Sequence, residues 1–380
     1  MRLFDEGSGA FREVEIRPRM TVYVCGITPY DSAHLGHGFV YTQFDVLVRY
    51  LRHLGANVVH VQNVTDVDDD ILRVARQRGV DYRELAERET RAFERTMGAI
   101  NITPPTHSPL ASEFVPQIVG EVRALVEAGH GYERDGTVYF RIASWPPYGE
   151  LSGLAREEML QLAAERGGHP EDPNKDDPLD FVLWQRSLPD EPSWDSPWGK
   201  GRPGWHIECS TMARSLLGQP LDVHGGGKDL IYPHHESERA QALALPGSPE
   251  PFVRHWMHAG TVHMAGEKMS KSLGNLAFVA DLLERHAPRD IRTFLLRQHY
   301  RQDWAFDEAQ LEQEPAMRSI RYAPDHFAEQ PPMREQFFGA LDEDLDTPSA
   351  LRCLEVARLS HHPGAPAFIA EAESILGLDF

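Results

Sequence analysis

The 380-residue sequence has little cysteine, little positive charge and no long apolar run. Its three cysteines, Cys25, Cys209 and Cys353, are an odd and sparse set, which argues against a disulfide framework and for a reducing compartment. Lysine and arginine number 38 against 58 aspartates and glutamates, so the net charge is −20 and the surface is acidic. An acidic surface disfavours loose binding to polyanions, although it leaves room for a local basic groove.

No apolar run approaches the length that spans a membrane, and the segment from Met1 to Asp5 lacks the apolar core of a signal peptide. We therefore expect a cytoplasmic protein with no membrane partner. A hydrophobic content of 41% and a charged content of 25% are ordinary for a globular chain. The length is enough for a large domain plus a smaller one.

The most informative stretch is a strand, a turn and a helix near the N-terminus. Residues 21–24 are β-branched and apolar and predict a buried strand that leads to Cys25, and residues 40–54 carry apolar residues at helical spacing. His34 and His37 lie three apart in the turn between them. Such a crossover is typical of a doubly wound parallel sheet, where phosphates meet a helix N-terminus. The imidazoles can donate to phosphate oxygens, although two surface histidines and a core cysteine would give the same pattern.

The rest of the chain predicts alternating strands and helices, followed by helices alone. The predicted elements are, in chain order, a strand over 57–62, helices over 81–129 with a break at 104–105, a hairpin over 131–153 with a turn at 135–136, a strand over 221–224, a turn over 225–227, a helix over 237–245, a strand over 252–262, helices over 276–312 and a small helical bundle over 315–378.

A second motif lies about 230 residues beyond the histidine turn. Residues 267–275 read Glu-Lys-Met-Ser-Lys-Ser-Leu-Gly-Asn, and residues 34–37 read His-Leu-Gly-His. The pair resembles, in the same order, the two signatures of class I aminoacyl-tRNA synthetases. Between them, residues 204–210 (Gly-Trp-His-Ile-Glu-Cys-Ser) and 224–236 (His-Gly-Gly-Gly-Lys-Asp-Leu-Ile-Tyr-Pro-His-His-Glu) resemble the cysteinyl-tRNA synthetase family, which includes the cysteine ligase of mycothiol biosynthesis. The resemblance covers nearly the whole chain.

The resemblance implies an α/β fold, a Rossmann-like doubly wound parallel sheet with an inserted connective segment and a C-terminal helical bundle. We expect four parts: the first half of the nucleotide-binding catalytic domain over 1–99, the inserted segment over 100–200, the second half with the Lys-Met-Ser-Lys-Ser loop over 201–312, and the bundle over 313–380. No anticodon-binding domain is expected, and we expect a monomer.

The resemblance also implies one zinc ion per chain, held by Cys25, Cys209, His234 and Glu238. We expect the two cysteines to end two different strands, and His234 and Glu238, four residues apart, to share one face of a helix. Thiolates with imidazole select zinc. Serine and cysteine differ by one atom, and an apolar pocket distinguishes two such similar amino acids poorly. Zinc would therefore serve to select cysteine over serine. The alternative is two buried cysteines and a surface histidine.

The reaction implied by the resemblance joins L-cysteine to ATP to give cysteinyl-AMP, with Mg²⁺ accompanying ATP. The implied catalytic residues are His34, His37, Lys268 and Lys271. Those implied to bind ATP or the adenylate are Gly26, Ile27, Thr28, Asn63, Val64, Thr65, Gly225, Gly226, Gly227, Lys228, Asp229, Val262 and Lys271. Those implied to bind the substrate cysteine are Cys25, Thr28, Thr65 and Trp205, with His206 in the same pocket and with His235 and Glu236 as supports of the metal ligands.

The acceptor of the cysteinyl group is left open. Residues 165–170, Glu-Arg-Gly-Gly-His-Pro, have the composition of an ordinary loop but resemble an element of the mycothiol ligase, with His169 in place of aspartate. The sequence ends at Phe380 with no region resembling an anticodon-binding domain. Both features favour a small amino-sugar acceptor, glucosaminyl-inositol.

Three features oppose that acceptor. Glu238 supplies a fourth metal ligand that the mycothiol ligase generally lacks, His224 stands where it usually has glutamine, and Val40 and Lys228 replace its usual threonine and serine. We expect transfer of cysteine to an amine acceptor, glucosaminyl-inositol first and another amine otherwise, with tRNA-Cys as the alternative. A third possibility is a catalytically silent nucleotide-binding relative, which intact His34, His37 and Lys271 argue against.

Overall fold

A computed structural model describes residues 1–264, 266–268, 276–314, 333–359 and 363–380. Its strands are β1 (Arg2–Asp5), β2 (Ala10–Glu13), β3 (Arg19–Ile27), β4 (Asn57–Val64), β5 (Gly131–Arg134), β6 (Thr137–Phe140), β7 (Phe181–Arg186), β8 (Gly201–Pro203), β9 (Leu221–Gly227), β10 (Val253–Ala259), β11 (Val262–Met264), β12 (Glu267–Lys268) and β13 (Trp304–Ala305). Its α-helices are α1 (Leu35–His53), α2 (Asp69–Arg78), α3 (Tyr82–Ala99), α4 (Val115–Glu127), α5 (Arg156–Glu165), α6 (Trp205–Leu217), α7 (Glu236–Ala244), α8 (Val279–Leu283), α9 (Pro288–Leu296), α10 (Glu308–Leu311), α11 (Met333–Asp342), α12 (Thr347–Leu359) and α13 (Ala365–Leu376).

The central sheet is parallel, in the order β10–β9–β3–β4. β3 leads through α1 to β4 on one side, whereas β9 leads through α7 to β10 on the other. The direction of winding therefore reverses between β3 and β9, where Tyr23 is paired with His224 and Val24 with Gly225. In sheets of this kind ligands bind at such a reversal, beyond the C-terminal ends of the strands. The predicted doubly wound α/β fold is confirmed.

Strand β3 separates two cores because its side chains alternate between the faces of the sheet. Val22 and Val24 belong to the large core that also contains α1. Tyr23 and Cys25 belong to the core on the opposite face, together with Cys209 of α6. The alternation thus turns Cys25 toward α6.

A separate antiparallel sheet, in the order β5–β6–β7–β8, has a core of its own around the fully buried Trp184. Its first hairpin turns at Asp135 and Gly136, which have φ values of 52° and 84°, as the two central residues of a type I′ turn require. The first three strands of the sheet fall within the predicted inserted segment, and its last strand, β8, lies wholly beyond residue 200. The boundaries between domains stay predictions.

Three sequence predictions for the second half are wrong. Residues 225–227 are the end of β9 and not a turn, because a glycine there allows β10 to approach so closely that a Cβ at Gly225 would lie 1.7 Å from Met257 O. The strand predicted over 252–262 ends at Ala259, and Val262 begins β11 in another sheet. The predicted helices over 276–312 are interrupted by β13, which pairs with β11.

Helices α11, α12 and α13 follow in the C-terminal region, while residues 315–332 and 360–362 of the predicted bundle lie outside the described residues. Within the described part of the chain, no helix combines the length and the apolar character needed to cross a membrane.

Arg292 of α9 is fully buried and ties the C-terminal helix to the first crossover. Its Nη2 lies 2.5 Å from Asp45 Oδ2 on α1, its Nε donates to Leu376 O at 2.7 Å, and its Nη1 donates to Asn101 O at 2.9 Å. Burial opposes ionisation of Asp45, but the charge of Arg292 helps to hold the pKa of this carboxyl below its ordinary value. The pair is therefore ionised at neutral pH.

We expect Arg292→Met to lower the free energy of unfolding by about 3–5 kcal/mol, because the Asp45 carboxylate stays buried and loses its closest cation. Unfolding in urea near neutral pH measures the change. The matched control is Arg334→Met, whose guanidinium pairs with Glu371 at 2.8 Å but is 57% exposed, and it should lose less than about 1 kcal/mol. Equal losses in the two variants would contradict this account.

Candidate functional site: a metal and nucleotide pocket

The end of β3 is held by side chains from the end of β4. Asn63 Oδ1 accepts from Gly26 N at 2.8 Å, Asn63 Nδ2 donates to Thr65 Oγ1 at 3.2 Å, and Thr65 N donates to Ile27 O at 2.9 Å. Asn63 and Thr65 are buried, and a Cβ at Gly26 would lie only 1.6 Å from Asn63 O. Thr28 directly follows the end of β3 that these hydrogen bonds hold in place, and Val64 is paired with Ile27. The predicted substrate residues of β3 and β4 therefore lie together at one rim of the sheet.

The histidine turn lies at the N-terminus of α1. His34 is the N-cap, with Nδ1 accepting from His37 N at 3.4 Å, and the two imidazole rings are stacked with centroids 3.8 Å apart. Leu35 N donates to Ala277 O at 2.7 Å. This bond joins the turn to the chain directly after the Lys-Met-Ser-Lys-Ser motif. A helix N-terminus with two imidazoles favours an anion such as phosphate.

The structure describes one of the two lysines predicted to be catalytic in the Lys-Met-Ser-Lys-Ser motif. Lys268 belongs to β12, and Lys271 lies outside the described residues, as do the other residues of 269–275. The chain that follows the motif reaches the histidine turn, where Phe278 is bridged to His34, whereas β12 pairs with β11.

The glycine-rich end of β9 faces the end of β3. A Cβ at Gly226 would lie 2.9 Å from a methyl of Leu230 and 3.6 Å from Cys25 Cβ, and one at Gly227 would lie 2.5 Å from Asp229 Oδ1. Bare backbone therefore lines the space between the two strands, where a flat ligand can approach closely. Asp229 lies just beyond it, in the short 3-10 helix Lys228–Leu230.

Two other predicted adenylate residues lie at the edge of this space. Lys228 Nζ is 3.2 Å from Asp303 Oδ2, so its charge is paired at the rim and does not point into the cleft between β3 and β9. Val262 is buried on β11.

A buried cluster of potential metal ligands lies behind the glycine-rich strand end. The donor atoms of Cys25, Cys209, His234 and Glu238 all lie within 4.8 Å of one another. Glu238 Oε1 is 3.6 Å from Cys25 Sγ and 3.1 Å from His234 Nε2. Thiol, imidazole and carboxylate donors gathered away from water form the donor set that zinc prefers. The residues present fit such an ion.

The elements that carry two of these ligands differ from the sequence prediction. Cys209 lies on α6 and does not end a strand, since Gly204 is the N-cap of a helix whose residues 207–213 are buried against the sheet. His234 precedes α7, in the irregular turn Ile231–His235, so that it and Glu238 do not share a regular helix. The cluster still forms because β3 turns Cys25 toward the face that α6 covers.

Trp205 and His206 close one side of the cluster. The Trp205 ring is stacked on His234 with centroids 4.2 Å apart, and His206 Nδ1 lies 2.9 Å from His234 Nδ1. Burial lowers the pKa of His206 to about 3 and holds that of His234 well below its ordinary value. Both imidazoles are therefore neutral and can act as acceptors or ligands.

The thiol of Cys25 is protonated at neutral pH in the absence of a cation. Burial, followed by the neighbouring Cys209, raises the pKa of Cys25 well above its ordinary range. A bound divalent cation would reverse this effect, because a coordinating thiol loses its proton. The pocket is thus suited to a positive charge.

Sequence reasoning missed two residues of the pocket. His258 Nε2 lies 2.7 Å from His235 Nδ1, and the Trp256 ring is stacked on that of His224 with centroids 4.8 Å apart. Both lie on β10, Trp256 in its middle and His258 near its C-terminal end, where it is paired with Gly226. The signal that could have found them is position, because the next strand of a parallel sheet ends at the same rim.

Arg166 connects the antiparallel region to the site. Its guanidinium, at the end of α5, donates to the backbone carbonyls of Asp229 and Tyr232. These carbonyls lie between the glycine-rich strand end and His234. The sequence leaves open whether residues 165–170 are an ordinary loop or a functional element. Through Arg166, this stretch contacts the segment that carries both Asp229 and His234.

Comparison with known proteins finds relatives along the whole chain. The family model for the tRNA synthetases class I (C) catalytic domain matches residues 12–316. The L-cysteine:1D-myo-inositol 2-amino-2-deoxy-alpha-D-glucopyranoside ligase of Nocardiopsis dassonvillei is 42% identical over 393 residues, which cover 100% of this chain and 95% of that protein. The cysteine--tRNA ligase of Alkalilimnicola ehrlichii is 44% identical over 348 residues, which cover 89% of this chain and 74% of that protein.

Solved structures share the fold at low sequence identity. A methionyl-tRNA synthetase of Mycobacterium tuberculosis bound by methionyl-adenylate has a TM-score of 0.63 at 18% identity, and the match covers 94% of this chain and 89% of that one. This likeness bears on the fold alone.

We expect Arg166→Met to loosen residues 228–235, because two backbone carbonyls lose a charged donor worth about 1.5–3 kcal/mol each. Hydrogen exchange of the amides in this segment, followed by mass spectrometry, should be at least about tenfold faster. Arg156→Met is the matched control, since Arg156 lies at the other end of α5 and pairs with Asp177. Unchanged exchange in the Arg166 variant would contradict the assigned role.

Proposed function

Because the chain belongs to the tRNA synthetases class I (C) family, we propose that it activates L-cysteine with ATP and passes the cysteinyl group to an acceptor. In the first step the cysteine carboxylate attacks the α-phosphorus of ATP, which gives cysteinyl-AMP and releases pyrophosphate. In the second step the acceptor attacks the activated carbonyl and releases AMP. Mg²⁺ accompanies ATP as the counterion of its phosphates.

One observation carries the proposal: the buried ligand cluster directly adjoins the open strand ends where a nucleotide fits. Cys25 contributes to the cluster, and its Cβ would be 3.6 Å from a Cβ on Gly226 of the glycine-rich end. A thiol substrate and an adenosine phosphate can therefore be held side by side. Positioning two bound reactants in this way can contribute about 7–11 kcal/mol to lowering the barrier.

Zinc bound by Cys25, Cys209, His234 and Glu238 would supply a bond to the substrate sulfur that the hydroxyl of serine forms poorly. The remaining selectivity comes from the chain itself. Trp205, stacked on His234, excludes water and limits the size of the side chain that enters.

The phosphate end is served by the helix that begins at the histidine turn. His34 and His37 lie at the N-terminus of α1, where imidazole and backbone donors oppose the charge that develops at the α-phosphorus. We also assign Lys268 and Lys271 as donors to the leaving pyrophosphate, because both belong to the Lys-Met-Ser-Lys-Ser motif. Asp229 accepts from the adenosine, and Val262 contacts the base.

We assign an amine of a small amino sugar, glucosaminyl-inositol, as the acceptor. The named ligase of Nocardiopsis dassonvillei supports this choice, since the similarity extends over 100% of this chain and 95% of that protein. Arg166, from the element that resembles that ligase, contacts the carbonyl of Asp229 at the site.

The second candidate acceptor is tRNA-Cys, and one observation favours it. Glu238 completes the ligand cluster, and His224 Nε2 lies 3.0 Å from its second oxygen. Both residues are among those in which this chain departs from the pattern of the mycothiol ligases.

We expect Cys209→Ala to lower cysteine-dependent exchange of pyrophosphate into ATP by more than about 100-fold, because even the loss of an outer partner of a metal ligand costs about 10–100-fold. Bound zinc, measured by atomic emission, should fall in affinity in the same variant. Cys353→Ala is the control, since this half-buried thiol lies on α12 outside the cluster, and it should keep the wild-type rate. Normal exchange by Cys209→Ala would refute the assigned metal site.

The acceptor is tested by offering glucosaminyl-inositol and a tRNA-Cys transcript to the same enzyme with cysteine and ATP. We expect an amide of cysteine with the amino sugar, detected by its mass, and AMP release that depends on the sugar. Charging of the transcript should be at least about tenfold slower. Efficient charging with no sugar product would reverse the assignment, while leaving cysteine activation in place.

A further inference from the structure

The metal pocket contains two sets of potential ligands that share Cys25 and Glu238. The first, named here the cysteine-pair set, is Cys25, Cys209, His234 and Glu238. The second, the histidine-pair set, is Cys25, His224, His235 and Glu238, and its donor atoms also all lie within 4.8 Å of one another. All of these side chains are buried. The second set differs from the ligands used in the proposed function in having His224 and His235 in place of Cys209 and His234.

The distances within the histidine-pair set are those of a metal site. Cys25 Sγ lies 3.2 Å from His235 Nε2, and Glu238 lies 3.0 Å from His224 Nε2 through Oε2 and 3.6 Å from Cys25 Sγ through Oε1. Zinc–ligand bonds of about 2.0–2.3 Å place tetrahedral ligands about 3.3–3.8 Å apart. The three distances lie in or just below this range, and every donor atom of the set lies within 4.8 Å of the others.

Outer contacts orient both imidazoles of this set. His235 Nδ1 lies 2.7 Å from His258 Nε2, so its other nitrogen faces Cys25. The ring of His224 is stacked on Trp256, and its Nε2 faces Glu238. His235 is thus held through the far nitrogen of its ring, as imidazoles that ligate metals are, whereas His224 Nδ1 has no hydrogen-bond partner among the described residues and only stacking orients that ring. The two imidazoles and the side chains that contact them lie on three elements: β9, the turn before α7, and β10.

Charge decides how many ions the pocket can hold. A divalent cation in the histidine-pair set meets one thiolate and one carboxylate, which leaves no net charge. Two cations at once would meet only two thiolates and one carboxylate, and a net positive charge would remain buried among neutral imidazoles. The two sets are therefore alternatives for one ion.

We propose that the pocket offers a divalent ion two overlapping positions, and that the histidine-pair set holds it when Cys209 cannot ligate. The cysteine-pair set is the tighter one for zinc because it has two thiolates. Glu238 belongs to both positions, with Oε1 directed to Cys25 and His234 and Oε2 to His224. An ion displaced from Cys209 thus stays within the pocket.

The test uses the purified full-length protein loaded with Co²⁺ or Zn²⁺, and two matched double variants. Cys209→Ala should still bind one equivalent of metal, at least about tenfold more weakly than wild type, with the thiolate-to-cobalt absorption reduced to about half. Cys209→Ala/His234→Ala should keep this residual affinity within about threefold. Cys209→Ala/His224→Ala should lose it by at least tenfold, because it removes a ligand of the histidine-pair set.

The reverse order of the two double variants would overturn the proposal, since the residual ion would then sit on the remains of the cysteine-pair set. X-ray absorption of zinc-loaded Cys209→Ala gives a second readout that needs no double variant to fold. The proposal expects one sulfur and two imidazoles around the ion, and one sulfur with a single imidazole would overturn it. None of these readouts uses activity, so a failure here is distinct from a failure of the proposed function.

Discussion

The parallel pairing of β3 with β9 is the constraint on which the site depends. It sets Tyr23 beside His224 and Val24 beside Gly225, so the chain after each strand emerges at the same rim. One side of that junction receives the histidine turn of α1, and the other receives the turn that carries Asp229 and His234. A shift of one residue in this register would send Cys25 to the opposite face of the sheet, away from Cys209.

Much of the arrangement follows from short-range patterns in the sequence. The crossover from residue 21 to residue 62, the hairpin turn at Asp135 and Gly136, and the family itself are confirmed. These features depend on neighbouring residues: the period of apolar side chains, the glycine needed for positive φ, and motifs of a few residues. The chain directly after the second signature motif also meets the first one, since Phe278 is bridged to His34.

The errors lie where tertiary contacts override local pattern. Cys209 follows a stretch that could end a strand, yet it lies on α6, because the sheet face opposite α1 needs a helix to cover it. Residues 225–227 have the composition of a turn but remain strand, since only glycine lets β10 approach so closely. The role of Arg166 could not be read from the sequence either, as its partners lie more than 60 residues away. The predicted roles of individual site residues stay predictions.

The buried guanidinium of Arg292 has a consequence for how the chain is made. Its partners come from the first crossover, from Asn101 and from Leu376, and Leu376 is made 84 residues after Arg292 itself. Until then the guanidinium of Arg292 lacks the carbonyl that accepts from its Nε, although the strands of the central sheet already exist. We therefore expect the nascent chain to remain loosely packed around α1 until the segment with Leu376 has emerged, and to depend on chaperones during that interval more than a chain whose core closes early.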